Sequence, residues 1–589
     1  MNSKYQILNR ILDLCCKEAP VSYRSYHDSK NDEQVIQRRA LGFIHLYLKV
    51  KFGLAEFSTR HAQITDGTQD GGIDAYHIDD DNKKIYFIQS KYRANEKNFE
   101  GKKIDADELL SMDISRVTKG YTDDAKGVPY NTKIMSLQQK LRDIRDIAKY
   151  EYIVILLANV KHDDAQIRRL IENCEYQIFD YEKSYTDLVF PMSTGTFYDP
   201  EEIKIRINLH EKSSPKLRQA VDCDFGRYSV TVIFVPCLEI AKILSRYKNS
   251  VLKYNPRCYL SLAKNSVNEK IKQEVTASRK NNFALLNNGI TILADNLEIS
   301  ESTGELNAGQ LILTQPQILN GGQTAYTLSL IYDDIKDNDY TVLSDKEVMI
   351  KIITRIKTDE EFDHRFVQMI SNATNQQSEV IEADRRSNHS IQLNLQKEIF
   401  KNYGYFYERK NGEFFEGTHN KIINKSIIID RLDFIKAVYA YKGEPAAARR
   451  ANDKELFKEA KFSEILGGTL AFHEQFFAYM IFQLLVEQET KFTKKYDSVD
   501  TYGHAITYGK WAVIYAISLK KLSIPDKFQE MRELAESQVT QALKRWPEFD
   551  EFIKTKNRGT KYFTDKTSNF ELYYKVNALD NDIKEFFLK

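Results

Sequence analysis

Three polar residues near the start of the chain have types and spacing suited to work on a phosphodiester. Asp74 closes the run Asp70-Gly71-Gly72-Ile73-Asp74, and Gln89-Ser90-Lys91 follows it. Residues two apart on a strand share a face, so Gln89 and Lys91 point one way and Ser90 the other. Between the motifs the apolar period is two, interrupted by the turn cluster Asp79-Asp80-Asp81-Asn82, which predicts a hairpin. A two-residue turn at Asp81-Asn82 sets Asp74 directly opposite Gln89. A carboxylate and a side-chain amide oxygen are hard donors of the kind Mg²⁺ (or Mn²⁺) accepts, with water and phosphate filling the rest of its shell. Such a cation lowers the pKa of a bound water and offsets charge on the phosphate. Lys91 would orient that water or neutralise the pentavalent phosphate, and Gly71 and Gly72 let the backbone turn tightly beside a substrate. Asp79, Asp80 and Asp81 read as a solvated turn, and Asp66 and Asp70 as turn formers ahead of ligands, with Asp70 close enough to the site to matter.

The elements that must position these residues follow from periodicity. Residues 3–18 and 31–52 read as helices, with Gly53 at the stop of the second. After the hairpin come a polar stretch over 93–124 and a helix near 133–149. A buried strand at 152–158, a helix at 164–174 and a strand at 176–179 then make an α/β layer. Residues 186–226 carry Pro191, Gly195, Pro200, Pro215 and Gly226, which marks a domain boundary near 200–215. Beyond it, strands are expected at 229–235, 289–293, 311–315 and 348–354 with a helix at 238–247, and after about residue 360 helices dominate. The expectation is an α/β multidomain protein: an N-terminal α/β domain over 1–205, a central α/β domain over 215–445 and a helical C-terminal region over 446–589.

The 589 residues exceed one ordinary core. Lys plus Arg number 85 against 84 Asp plus Glu, so a polyanion must meet local basic clusters rather than a globally basic protein. Arg385-Arg386 and Arg449-Arg450 are such clusters, and Tyr403, Tyr405 and Tyr407 could stack bases beside them, although a solvated helix face accounts for each as well. Six scattered cysteines form no Cys-x-x-Cys pair, which argues against a zinc site or disulfide framework and for a reducing cytoplasm. The first apolar segment contains Asp13, Lys17 and Glu18 and is not a signal peptide, and the apolar run 152–160 is too short to span a bilayer. No membrane partner is expected.

The Gly-Ile-Asp and Gln-x-Lys pair resembles the Mrr-like branch of the PD-(D/E)XK nuclease superfamily, over roughly residues 30–185. The resemblance implies a restriction-endonuclease-like domain, Asp74 and Gln89 as metal ligands and Lys91 as catalytic. Gln stands where many members carry an acid, which removes one negative charge from the metal. The superfamily also tends to place an acidic residue on the preceding helix, and Glu33 is the candidate.

A second set of motifs lies downstream. Asn287-Asn288-Gly289 leads into a strand, and Asn320-Gly321-Gly322-Gln323-Thr324 joins a strand to a helix, where backbone N–H groups suit an anion. Ser371–Gln377 includes Asn375, and Phe406–Lys410 includes Arg409. With Asn255-Pro256-Arg257 these stretches resemble the AIPR family, named for abortive-infection phage resistance, from about 225 to 445. Asn, Gln and Thr also cap helices and fix turns, and for Asn287, Asn288 and Gly289 the two readings weigh equally. For Asn320, Gln323 and Thr324, with Asn375 and Arg409, the expectation is a ligand or nucleic-acid contact. The combined expectation is a metal-dependent endonuclease of antiphage defence, acting on DNA ahead of RNA, with the AIPR region sensing a phage-derived trigger and a homodimer as the assembly. The alternatives are an RNA-directed nuclease and a non-catalytic nucleic-acid- or effector-binding defence protein.

Overall fold

The computed structural model describes residues 3–105, 109, 111–161, 163–198, 203–209, 216–255, 267–277, 280–300, 309–335, 339–356, 364–374, 383, 386–468, 470–492 and 497–588. They form two compact units, one of residues 1–377 with 412–424 and one of 378–411 with 425–589. The mixed α/β class and the helical C-terminal region match expectation.

The first unit opens with helix α1 (Lys4–Lys17), whose N-cap Ser3 and Gln6 make a reciprocal capping box. Helix α2 (Asp32–Lys51) is capped by Asn31. The two are tied by Asp13, which accepts from Arg38 at 2.8 Å and Arg39 at 2.9 Å. A short helix α3 (Phe57–His61) precedes the hairpin of β1 (Ala75–Asp79) and β2 (Lys84–Ser90). Helix α4 (Thr132–Asp143), β3 (Glu151–Leu157), α5 (Asp164–Leu170) and β4 (Glu175–Ile178) follow. The sheet runs β1-β2-β3-β4, antiparallel in the hairpin and parallel thereafter. One face, carrying Tyr76, Ile85, Phe87, Val154 and Leu156, is buried by Ile134, Leu137 and Leu141 of α4 and Ile167 of α5. On the opposite face Phe52, at the end of α2, stacks on His77 at 4.1 Å and packs against Tyr86.

The segment expected to be a turn-rich boundary instead contains two strands, β5 (Lys204–Leu209) and β6 (Leu217–Cys223); Pro200 and Pro215 lie outside the described residues. Next come β7 (Gly226–Pro236), α6 (Cys237–Tyr247), β8 (Ile290–Ala294), β9 (Asn296–Ser300), β10 (Gly309–Thr314), β11 (Gln317–Asn320), α7 (Gly322–Asp334) and β12 (Glu347–Arg355). They build a five-stranded sheet, β11-β8-β12-β7-β6, and a three-stranded sheet, β5-β10-β9. Ile233, Val235, Ile290, Ile292, Ile350 and Ile352 alternate onto one face of the larger sheet and share a core with Leu244 of α6 and Leu328 and Ile331 of α7.

The second unit is helical around a two-stranded parallel sheet. Helix α8 (Ser390–Tyr403) leads to β13 (Phe406–Glu408), which pairs with β14 (Ile428–Asp430). Its further helices include α9 (Arg431–Tyr441), α10 (Phe472–Glu489), α11 (Lys510–Ser518) and α12 (Phe528–Lys556). In α11 every residue from Ala512 to Ile517 is buried, so the helix runs through the core rather than along it. No helix among the described residues is long and apolar enough to cross a membrane. The cysteines among them, Cys15, Cys16, Cys174, Cys223 and Cys237, are all unpaired.

The junction of β11 and α7 is a close backbone approach in the larger sheet. Gly321 has φ of +82°, and a Cβ there would lie 2.8 Å from the Gly289 carbonyl oxygen and 2.9 Å from Ile290 Cα. Gly321→Ala therefore meets both left-handed strain and a backbone clash. It should lower unfolding free energy by more than about 2 kcal/mol, measured by urea denaturation, whereas an unchanged midpoint would mean the turn yields freely.

Candidate functional site

The hairpin register places the site. Ala75 pairs with Ile88 and Asp79 with Lys84, so the turn is residues 80–83, two residues longer than expected but symmetric about Asp81-Asn82. The ladder ends at Ala75–Ile88, and just beyond it the Asp74 N–H donates to the Ile88 carbonyl at 2.9 Å, one residue out of step with the expected Asp74–Gln89 pairing. Within β2, Gln89 shares the face of Phe87, at the end of the layer covered by α4 and α5, and Asp74 lies immediately before β1.

The loop before β1 is wound by three closely spaced left-handed residues, with φ of +60° at Gln69, +63° at Gly71 and +71° at Gly72. A Cβ on Gly72 would lie 2.6 Å from the Ser111 carbonyl oxygen and 3.3 Å from Gln89 Nε2. The Gly72 carbonyl accepts from Gln89 Nε2 at 2.9 Å, which fixes the amide. Thr65 and Asp66 both donate their N–H to the Asp74 carbonyl at 2.9 Å, folding the loop back on itself. Asn131 pins it from outside: its N–H donates to the Gln69 carbonyl at 2.9 Å and its Nδ2 to the carbonyls of Thr65 and Thr68 at 3.2 Å. The same side chain caps α4 through the N–H groups of Lys133 and Ile134.

This winding gathers three carboxylates. Asp66, Asp70 and Asp74 each place an oxygen within 4.8 Å of the others, with Asp70 and Asp74 buried and Asp66 exposed. Asp70 accepts from the N–H of Gly72 at 2.9 Å and of Gly67 at 3.1 Å. Asp74 accepts from the Ser90 N–H at 2.6 Å. Burial pushes the Asp74 carboxyl from 3.8 up to about 7; the charges of Asp66 and Asp70 add to the rise, while the Ser90 N–H and the Lys91 ammonium oppose it. Burial likewise raises Asp70, against the pull of the Gly72 and Gly67 N–H groups. Lys91 is half-buried, makes no ion pair among the described residues, and is held by its N–H to the Leu157 carbonyl at 3.0 Å. The donor set is all oxygen and multiply anionic, which fits a hard divalent cation.

Glu33 does not join the cluster: it is exposed in the first turn of α2, whose C-terminal end serves the opposite face of the sheet. Asp66, Asp70 and Asn131 were not chosen from sequence. The spacing Asp66, Asp70, Asp74 was visible, but turn chemistry accounts for each acid separately.

The downstream motifs also converge. Asn287 Nδ2 donates to Thr324 Oγ1 at 3.0 Å, and its Oδ1 accepts from the Gly289 N–H at 2.8 Å. Asn320 Oδ1 accepts from the Gly321 N–H at 2.7 Å. Asn255 Nδ2 reaches the carbonyls of Ile318 and Leu319 at 3.4 and 3.3 Å. Helix α7 begins at Gly322 with no side-chain cap on its N–H groups. Gln323 is half-buried and Asn288 exposed at this turn. The AIPR protein family model matches residues 252–562, just over half of the chain. The chain belongs to the AIPR family. The AIPR match starts later than the motifs suggested and runs on through most of the helical second unit, and it associates the chain with bacterial abortive infection. No curated protein and no solved structure matches. The AIPR match does not reach the Asp74 hairpin.

Other candidates in the AIPR region have structural partners. Arg409 lies in the second unit, where it donates to Gln396 Oε1 at 2.6 Å and to the Ser387 carbonyl at 3.0 Å. Tyr403, Tyr405 and Tyr407 are buried, the first two against Phe476 and the third against Phe434, so they are core rather than base-stacking platforms. Arg386 and Arg450 are engaged by Glu459 and Asn577. Asn375, Arg385, Pro256 and Arg257 lie outside the described residues.

The raised Asp74 carboxyl has a thermodynamic sign. Between 3.8 and about 7 the native state binds more protons than the unfolded one, so this group's stabilisation is complete at low pH and is lost as pH rises through about 7. A bound cation would offset that loss. Mg²⁺ should therefore raise the melting temperature by several degrees at about pH 8 and by much less at about pH 5. Asp74→Asn should remove most of this gain, as calorimetry would read; an equal Mg²⁺ effect at both pH values would contradict the assignment.

Proposed function

We propose that this AIPR protein is a metal-dependent endonuclease of bacterial antiphage defence, cutting phosphodiester bonds of DNA at the Asp74 hairpin. The observation that carries the reading is the loop over residues 65–74, which sets Asp66, Asp70 and Asp74 within 4.8 Å of one another beside Gln89 and Lys91. The Mrr-like resemblance of the same residues supports it.

In this reading Asp74, with Asp66 and Asp70, holds Mg²⁺ or Mn²⁺, and Gln89 lends its amide. The cation supplies charge for the phosphate and a lowered pKa for water. The chain's own groups do the rest. Lys91 brings a fixed positive charge against the substrate phosphate, where a preorganised cation stabilises charge developing in the transition state. The Ser90 N–H holds the Asp74 carboxylate in one orientation, and Asn131 keeps the loop wound. The AIPR region would sense or regulate. Its Asn320–Thr324 turn, with Asn287 and Asn288, is the proposed contact for a phage-derived trigger, and the trigger must favour the cutting state over the resting one to act at all.

Purified protein should cut DNA with Mg²⁺ and lose activity in EDTA. Asp74→Ala, Gln89→Ala and Lys91→Ala should each lower the rate on the order of a hundredfold or more, Lys91→Ala with little change in melting temperature. Assaying RNA in parallel separates the DNA reading from an RNA-directed one. Binding of nucleic acid with no cleavage under any divalent metal would favour the non-catalytic alternative.

A further inference from the structure

Among the described residues strand β6 is an edge of the five-stranded sheet, and all seven of its residues are exposed, Leu217 to 66% and Val221 to 41%. Its pairing with β7 is unbroken, from Leu217 opposite Val232 to Cys223 opposite Gly226. Long, flat edge strands invite pairing with another chain and are usually blunted by Pro, Lys or a bulge. β6, with the sequence Leu-Arg-Gln-Ala-Val-Asp-Cys, has none of these.

The direction of its backbone groups follows from its neighbours. The hairpin turns through residues 224–225, which makes Cys223 and Gly226 a hydrogen-bonded pair. The Arg227 carbonyl accepts from the Ile356 N–H at 3.0 Å on the β12 side, so Arg227 turns away from β6. Alternation then points the N–H and C=O groups of Arg218, Ala220 and Asp222 outward, while Leu217, Gln219, Val221 and Cys223 bond β7.

We propose that β6 is a self-pairing strand, through which two copies of this chain join antiparallel about a two-fold axis at Ala220. At that register all seven residues overlap. Ala220 faces Ala220 of the partner subunit, and Arg218 faces Asp222 of the partner subunit on both sides of the axis. The outward backbone groups belong to these same three residues. Centring the axis on Asp222 would oppose two carboxylates, and centring it on Arg218 two guanidiniums, so charge selects the middle register. Both side chains can supply the pairing: Asp222 is 81% exposed and only 3.4 Å-bridged to Arg227, and Arg218 holds the Ser229 hydroxyl through Nε alone. On the other face Leu217 and Val221 leave water against Cys223 and Gln219 of the partner subunit.

Sedimentation velocity of the full chain over a concentration series tests this. The wild type should reach twice the 68.6 kDa monomer mass. Asp222→Arg sets like charges opposite each other and should weaken dimerisation at least about tenfold; the double variant Arg218→Asp, Asp222→Arg restores the match and should restore the dimer. Ala220→Pro removes an outward N–H that no β6–β7 bond uses, so it should give a monomer with a wild-type melting temperature. A wild type that stays monomeric throughout, a dimer that survives both Ala220→Pro and Asp222→Arg, or a charge-swapped double variant that stays monomeric would overturn the proposal.

Discussion

The first α/β layer is organised around a cost: Asp74 is a carboxylate that the fold buries next to two others. Its oxygen lies within 4.8 Å of oxygens of Asp66 and Asp70, and burial pushes it to about 7. Removing carboxylates from water without a matching cation is unfavourable, so the surrounding structure must hold them together. Two left-handed glycines wind the loop, the Ser90 N–H fixes one oxygen, and Asn131 ties the loop to α4. The parts that gather the charge are backbone and capping groups. Lys91, at the end of β2, is the compensating charge within the chain, and its effect on Asp74 is smaller than that of burial.

The AIPR turn follows a different logic. There no carboxylate is concentrated; instead Gly321 packs on the Gly289 carbonyl, and Asn287 and Asn320 hold their own turns while Asn287 reaches Thr324. Two motifs separated in sequence thus become one constellation at the start of α7. Their amides serve the turns and also line an uncapped helix start, so the structural and ligand-binding readings concern the same atoms.

Legibility in the sequence tracked the strength of the physical pattern. The hairpin register was readable from Ala75–Ile88 to Asp79–Lys84 because the alternating runs flank an Asp-Asn turn symmetrically, but it does not extend to Asp74, whose N–H bonds the Ile88 carbonyl rather than facing Gln89. Strand β3 is a continuous apolar run, and β7 and β12 carry apolar residues at alternate positions, so these were readable too. β6 was not, since a strand exposed at every position carries no alternation, and β5 was hidden by the prolines that flank it. The acidic cluster was missed because Asp66 and Asp70 are ordinary turn formers one at a time; only the winding of the loop, set by φ values that sequence does not state, brings them to Asp74. Glu33 was suggested by family habit, and its helix places it elsewhere. The tyrosines at 403, 405 and 407 carried no sign of which side would be buried, and packing against Phe476 and Phe434 decided it.

The central claim is that the wound loop before β1 is a divalent-cation site. Anomalous scattering from crystals soaked in Mn²⁺ reads this directly. The account predicts a peak bounded by the carboxylates of Asp66, Asp70 and Asp74, next to Gln89 and Lys91. A peak at Glu33 without one in the loop, or no peak at these carboxylates at saturating Mn²⁺, would contradict it.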